Sequence, residues 1–159
     1  MNDQEIKELI EIPKVIEELQ PKVLKIESGH QRQKIILKSM DNQKRFWIFV
    51  RRNLKFVENF SVGLVYSAPD GKNIHLLRLN GAHGQVSKKP FGLDPHIDFH
   101  IHTLTSNDFE SGNYNKPSGI ELTNEFVSLE QATAKMFIKA NILNGRDFFS
   151  NLDQLNLFN

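Results

Sequence analysis

The sequence predicts an α+β fold. One domain, residues 1–159, should carry a mainly antiparallel sheet of five or six strands with helices at its N-terminal and C-terminal ends. Three observations carry this expectation. Between Lys22 and Asn80, five short runs rich in Val, Ile, Phe and Leu are separated by turn residues. Helical spacing of apolar groups is confined to the first twenty residues and to a stretch after Ser128. A chain of 159 residues buries one core comfortably, and hardly two.

Taken in order, Asp3 is a candidate N-cap, with Ile6, Leu9, Ile10, Ile16 and Leu19 at helical spacing behind it. Pro13 lacks an N–H and clashes with a preceding turn. One helix should therefore stop near Glu11 and another run from Pro13 to just before Pro21, making residues 1–20 an acidic helical segment. The sheet is expected over residues 21–103, from "KVLKIE", "QKIILKS", "RFWIFVRR", "FSVGLVYS" and "NIHLLRLN", with Asp70-Gly71 as the strongest hairpin signal. A long loop, residues 80–95, leads into "DPHIDFHIHT" as a further strand, and a polar loop, "SNDFESGNYNKPSG", follows. Ser128 and Gln131 open a helix expected over 128–144, with Gly145 as its stop and the tail 145–159 packing back on the core. Core candidates are Trp47, Ile48, Leu64, Leu76, Leu77, Ile101, Met136 and Phe137, with Trp47 and Leu77 open to facing the other way.

Composition narrows the function classes. No run of eighteen apolar residues offers a membrane span. The chain has no cysteine, so disulfides, thiolate zinc sites and a cysteine nucleophile are excluded, and a cytoplasmic setting fits. The net charge of +1 hides segregation. Residues 1–20 hold six acidic and two basic side chains, whereas residues 21–55 hold ten basic and two acidic ones. That basic block can meet phosphates or an acidic protein surface, or can be matched internally by the acidic helix.

The histidine row is the chemical signal. On a strand, His96, Asp98, His100 and His102 share one face, and Ile97, Phe99 and Ile101 the other. With His83 folded over from "LNGAHG", the set His83, Asp98, His100 and His102 would suit zinc or manganese. Without a metal, two of His83, His96, His100 and His102 could act as base and acid. The opposing expectation is a polar sheet face with no catalytic residue and no cofactor. Strand parity places His75 and Arg78 on opposite faces of their strand. "KRFWIFVRRNLKF" interleaves Arg45, Arg51, Arg52 and Lys55 with aromatic rings, a pattern that suits nucleic acid or a half-buried strand with Phe46, Ile48 and Val50 inside. A net charge of +1 disfavours free nucleic acid as the partner.

"LLRLNGAHG" and "PHIDFHIHT", followed by "SLEQATAKMFIKANI", resemble a set of small bacterial and phage proteins with an NGxHG turn, a histidine-rich strand and a late helix. This resemblance spans roughly residues 60–142 and implies no settled activity. In size, Lys/Asn/Ile-rich style and overall pattern, the whole chain also resembles staphylococcal phage anti-CRISPR proteins that inhibit type II-A Cas9. The second resemblance implies a cofactor-free binder in a bacterial cytoplasm that occupies a surface of Cas9, bare or guide-loaded, near its mobile HNH domain. Glu5, Glu8 and Glu11 would then meet basic Cas9 surface, and Arg45, Arg51 and Arg52 acidic patches or guide RNA. The competing expectation is a toxin-type ribonuclease that uses the histidine cluster.

Overall fold

A computed structural model describes residues 1–82 and 98–149, leaving the side chains of residues 22–24 undescribed. Its sheet is a meander in which every strand pairs antiparallel with the next: β1 (Lys14–Glu27), β2 (His30–Ser39), β3 (Arg45–Asn53), β4 (Phe60–Ser67), β5 (Asn73–Asn80), β6 (His100–Thr103) and β7 (Gly119–Leu122). Helices α1 (Asp3–Glu11), α2 (Ser106–Glu110), α3 (Leu129–Lys139) and α4 (Gly145–Phe148) complete the described elements. The α+β expectation holds, with one strand more than predicted. No helix among the described residues is long and apolar enough to cross a membrane.

Strand parity assigns the core. Phe46, Ile48 and Val50 on β3 stand opposite Tyr66, Leu64 and Val62 on β4. With Ile35 and Leu37 on β2, this row meets Ala132, Met136 and Phe137 of α3. Seven of the eight expected core residues are buried. Trp47 is the exception, because its odd position turns it to the other face, where it is half-buried.

Five expectations need correction. The segment expected as a second helix from Pro13 to Gln20 is strand from Lys14 onward. Pro13 leaves Ile12 extended, with ψ at 135°, and α1 ends there. Ile16 and Leu19 stand opposite Leu37 and Ile35, because the register shifts between Ile16 and Glu18. One extra residue in a strand turns a spacing of two into three, which imitates a helix. The N-cap of α1 is Asn2, in a reciprocal capping box with Glu5, one residue before the expected Asp3. The polar loop after β6 contains α2 and ends in β7, an unforeseen strand. The late helix stops at Lys139, not 144, with Asn141 in the left-handed region at φ 55°, and Gly145 opens α4 instead of ending α3. Of the strand expected from Asp94, Asp98 and Phe99 precede β6, which begins at His100, while residues 94–97 and the expected loop from residue 83 on lie outside the described residues. Of the tail, Phe149 packs on Phe137 with ring centroids 5.5 Å apart, and residues 150–159 lie outside the described ones.

Candidate functional site

Helices α1 and α3 lie over the Phe46–Ile48–Val50 face of the sheet. On the opposite face, which no described helix covers, two rows of side chains cross the strands. One runs from Lys34 through Phe49, Gly63 and Arg78 to His102 and Ile120. The other runs from Arg32 through Arg51, Ser61 and Asn80 to His100 and Leu122. Arg32, Lys34 and Arg51 are exposed, and Arg78 is half-buried. Together with Trp47 and Phe49 they line a concavity of about 440 Å³, walled on one side by Gln20, Pro21 and Lys25 of β1.

The aromatic part of this face is continuous. Trp47 and Phe49 are 6.2 Å apart, and His75 lies 6.4 Å from the first and 5.7 Å from the second. His75 thus shares a face with Arg78, contrary to the parity expectation. The reason is a register shift: Val65 pairs with His75, Leu64 with Leu77, and Leu76 is the extra residue. Burial lowers the pKa of His75, and neighbouring Arg78 lowers it further, so at neutral pH the ring is an uncharged part of the platform. The Lys34 ammonium rests 4.4 Å from the Trp47 ring centre.

The electrostatics are one-sided. Burial, and then the charge of Arg51, lower the pKa of Arg78, whose Nε is buried with no hydrogen-bond partner among the described residues. Among the described residues no carboxylate lies within 4.0 Å of the charged nitrogens of Arg32, Lys34, Arg51 or Arg78. Glu27, at the edge of the concavity, faces Lys25 at 3.7 Å. Like charges gathered in a half-buried place repel, and an anion relieves the repulsion.

The other sequence-predicted residues are dispersed. Arg52 points to the helix face, where its Nη1 meets Glu130 at 2.9 Å and its Nε and Nη2 both donate to Gln31. Arg45 is on the concavity's face but six residues from Arg51, about 20 Å along the strand, and is paired with Glu17 at 3.5 Å. Glu5, Glu8 and Glu11 are exposed on α1, where Glu5 caps Asn2 and Glu8 accepts from Gln4. Glu5 and Glu8 share a concavity with Lys44, whereas Arg32, Lys34, Arg51 and Arg78 lie on the face away from that helix and pair with none of its carboxylates.

His100 and His102 share a face, with rings 5.0 Å apart. His100 is fully buried, and its Nδ1 lies 2.8 Å from the Asp98 carbonyl oxygen. The Nδ1 of His102 lies 3.0 Å from the Pro117 carbonyl oxygen. A carbonyl only accepts, so both Nδ1 atoms donate. Asp98 is exposed ahead of β6, and His83 and His96 fall outside the described residues. Among the described residues no three His, Asp or Glu side chains gather as a metal site. Residue pattern could have flagged Arg32, Lys34 and Trp47, which alternate within their strands, but Gly63, Phe49, His75 and Arg78 come together only through the register of β3, β4 and β5. Comparison with protein-family models, curated proteins and solved structures gave no match for this chain.

Proposed function

We propose that this protein acts by occupancy and not by chemistry, holding a single-stranded, base-exposing stretch of RNA on the helix-free face of its sheet. In the setting that the anti-CRISPR resemblance implies, that RNA is the guide carried by Cas9, and a protein seated on it obstructs nuclease assembly or HNH docking. The observation that supports this reading is the gathering of Arg32, Lys34, Arg51 and Arg78 around Trp47 and Phe49, with no ion pair to a carboxylate among the described residues and with Glu27, at the edge, turned to Lys25. Cations follow the phosphate backbone, and aromatic faces hold unstacked bases. A duplex offers phosphates but keeps its bases stacked, so it uses only half of this surface. The net charge of +1 is no obstacle, because the acidic residues of α1 lie across the sheet.

Fluorescence anisotropy with labelled RNA of about 12 nucleotides tests this directly. With four cations meeting phosphates, the slope of log K against log salt should be about −2.8 for a single strand, or about a 50-fold loss from 50 to 200 mM. A duplex of the same sequence should bind at least about tenfold more weakly, because base stacking contributes ~1–3 kcal/mol per base. In a Cas9 cleavage reaction, inhibition should saturate near about one molecule per nuclease, as expected for an interface and not a catalyst. A flat salt response, or equal affinity for duplex, would refute RNA occupancy of this face. RNA shortened by a catalytic trace of protein would move the reading to a histidine ribonuclease.

A further inference from the structure

The concavity has a shaped floor. Phe49 stands opposite Gly63, and a Cβ on Gly63 would collide with the Phe49 ring. The missing side chain lets that ring lie down across β4, where it reaches both Trp47 and His75. Arg78 is the next residue in the same row, opposite Gly63 on its other side. Arg51 lies one row away on β3, opposite Ser61. An apolar floor of mutually tilted rings therefore adjoins two guanidinium groups. A volume of about 440 Å³ is that of a small-ligand site, not a long groove.

We infer that this concavity is a mononucleotide subsite, in which one base stacks on the Trp47 indole beside Phe49 and its phosphate sits between Arg51 and Arg78. The inference rests on the reading of this face as an RNA surface and adds its unit of recognition. A planar base can stack on the indole face, with the tilted Phe49 ring, 6.2 Å away, beside it. A phosphate accepts paired N–H bonds from guanidinium forks, and Arg51 and Arg78 both line the concavity. Lys34 is exposed and rests on the indole, so it must swing aside when a base arrives.

That movement makes Trp47, the only tryptophan, a built-in reporter. Its emission should be titrated with AMP, adenosine and inorganic phosphate, alongside anisotropy with the labelled RNA strand. AMP should change the emission saturably, at least about tenfold more tightly than adenosine or phosphate, since each charge-assisted contact contributes appreciably. Arg51→Gln, at an exposed position, should bring AMP close to adenosine. Gly63→Ala should lift Phe49 and weaken both, with circular dichroism confirming that each variant folds. AMP binding no tighter than adenosine and phosphate would overturn the subsite. If the RNA strand still bound in that case, the wider surface would stand without it. If AMP bound as expected and the RNA strand did not, the subsite would stand and the RNA reading would fall.

Discussion

Replacing Lys14 with Met tests the principal junction of the fold. Lys14 is the first residue of β1 and is fully buried. Its Nζ donates to the carbonyls of Ile10 at 2.7 Å, Ile12 at 2.9 Å and Ala140 at 2.9 Å, and lies 4.6 Å from the centre of the Phe46 ring. Those carbonyls belong to the C-terminal ends of α1 and α3, where helices leave acceptors unsatisfied and a cation is favourable. Its backbone adds a hydrogen bond to Asn141 and another from Leu143. Methionine keeps much of the apolar stem but donates nothing. Three acceptors then lose their donor at ~1–3 kcal/mol each, offset in part by the desolvation a buried ammonium no longer bears. The expected net loss is about 3 kcal/mol, equivalent to about 6–12 °C in Tm for a chain of this size. Urea unfolding followed by circular dichroism measures it. A Met variant as stable as the parent would show that desolvation cancels the three bonds, refuting this account of the junction. The pH dependence gives a second readout. Burial pushes the Lys14 pKa down from 10.5 to about 7. Between those values the unfolded chain binds more protons, so stability should rise with pH across that window. Because the carbonyls and the ring hold the ammonium, the rise should be shallower than burial alone would give, and the Met variant should lack it.

Two further predictions concern neighbours with opposite duties. Arg52→Ala should cost about 1 kcal/mol through its partly exposed pairing with Glu130 and Gln31, yet leave the salt slope of RNA binding unchanged, whereas Arg51→Ala should lower that slope by about 0.7 with little effect on the melt. Parallel melting and anisotropy curves decide it, and equal effects on binding would refute the assignment of faces. Asp108 is buried, which raises its carboxyl pKa, but N–H groups of Ser118 and Thr105 donating to Oδ2 at 2.9 and 3.0 Å outweigh burial and leave it lowered. Stability from this group is therefore present above the ordinary carboxylate range and lost as pH falls through the lowered value. Asp108→Asn should cost about 1–2 kcal/mol at pH 7 and flatten the acid limb of an unfolding titration; an unaltered limb would place the acid sensitivity elsewhere.

Much of the sheet was legible because its strands carry their own signals. Asp70-Gly71 closes β4 onto β5 with Gly71 at φ 88°, a region glycine enters freely. Phe46, Ile48 and Val50 face inward as alternation requires. The capping pair Ser128 and Gln131 opened α3 where expected, with the Ser128 side chain accepting from the Gln131 N–H. β7 was not legible: its four residues are half-buried or exposed, and Ile120 is 46 % exposed, so no apolar pattern announces an edge strand. Nor was the fate of Lys14, since a lysine in a strand looks solvated until two helix ends converge on it.

Of the candidate site only the basic, aromatic run around Trp47 and Arg51 was legible in the sequence, and the rest stayed hidden for a physical reason that also explains the false second helix. Parity along a strand holds only while the ladder has no extra residue. In β1 the shift between Ile16 and Glu18 gave apolar groups a spacing of three, and three reads as helix. In β5 the extra Leu76 moved Arg78 to the face of His75, so a count by twos separated two residues that lie together. Arg51 and Arg52 show the converse: adjacent in sequence, they are opposite in space, because the β3–β4 ladder from Arg45 to Arg52 carries no shift. Charge counted along the chain made them one basic block. Charge counted by face gives one residue to the helix-free concavity and the other to the helix contact. A basic strand can therefore be read for function only after its bulges are placed, and a spacing of three between apolar residues flanked by strand signals is the trace they leave.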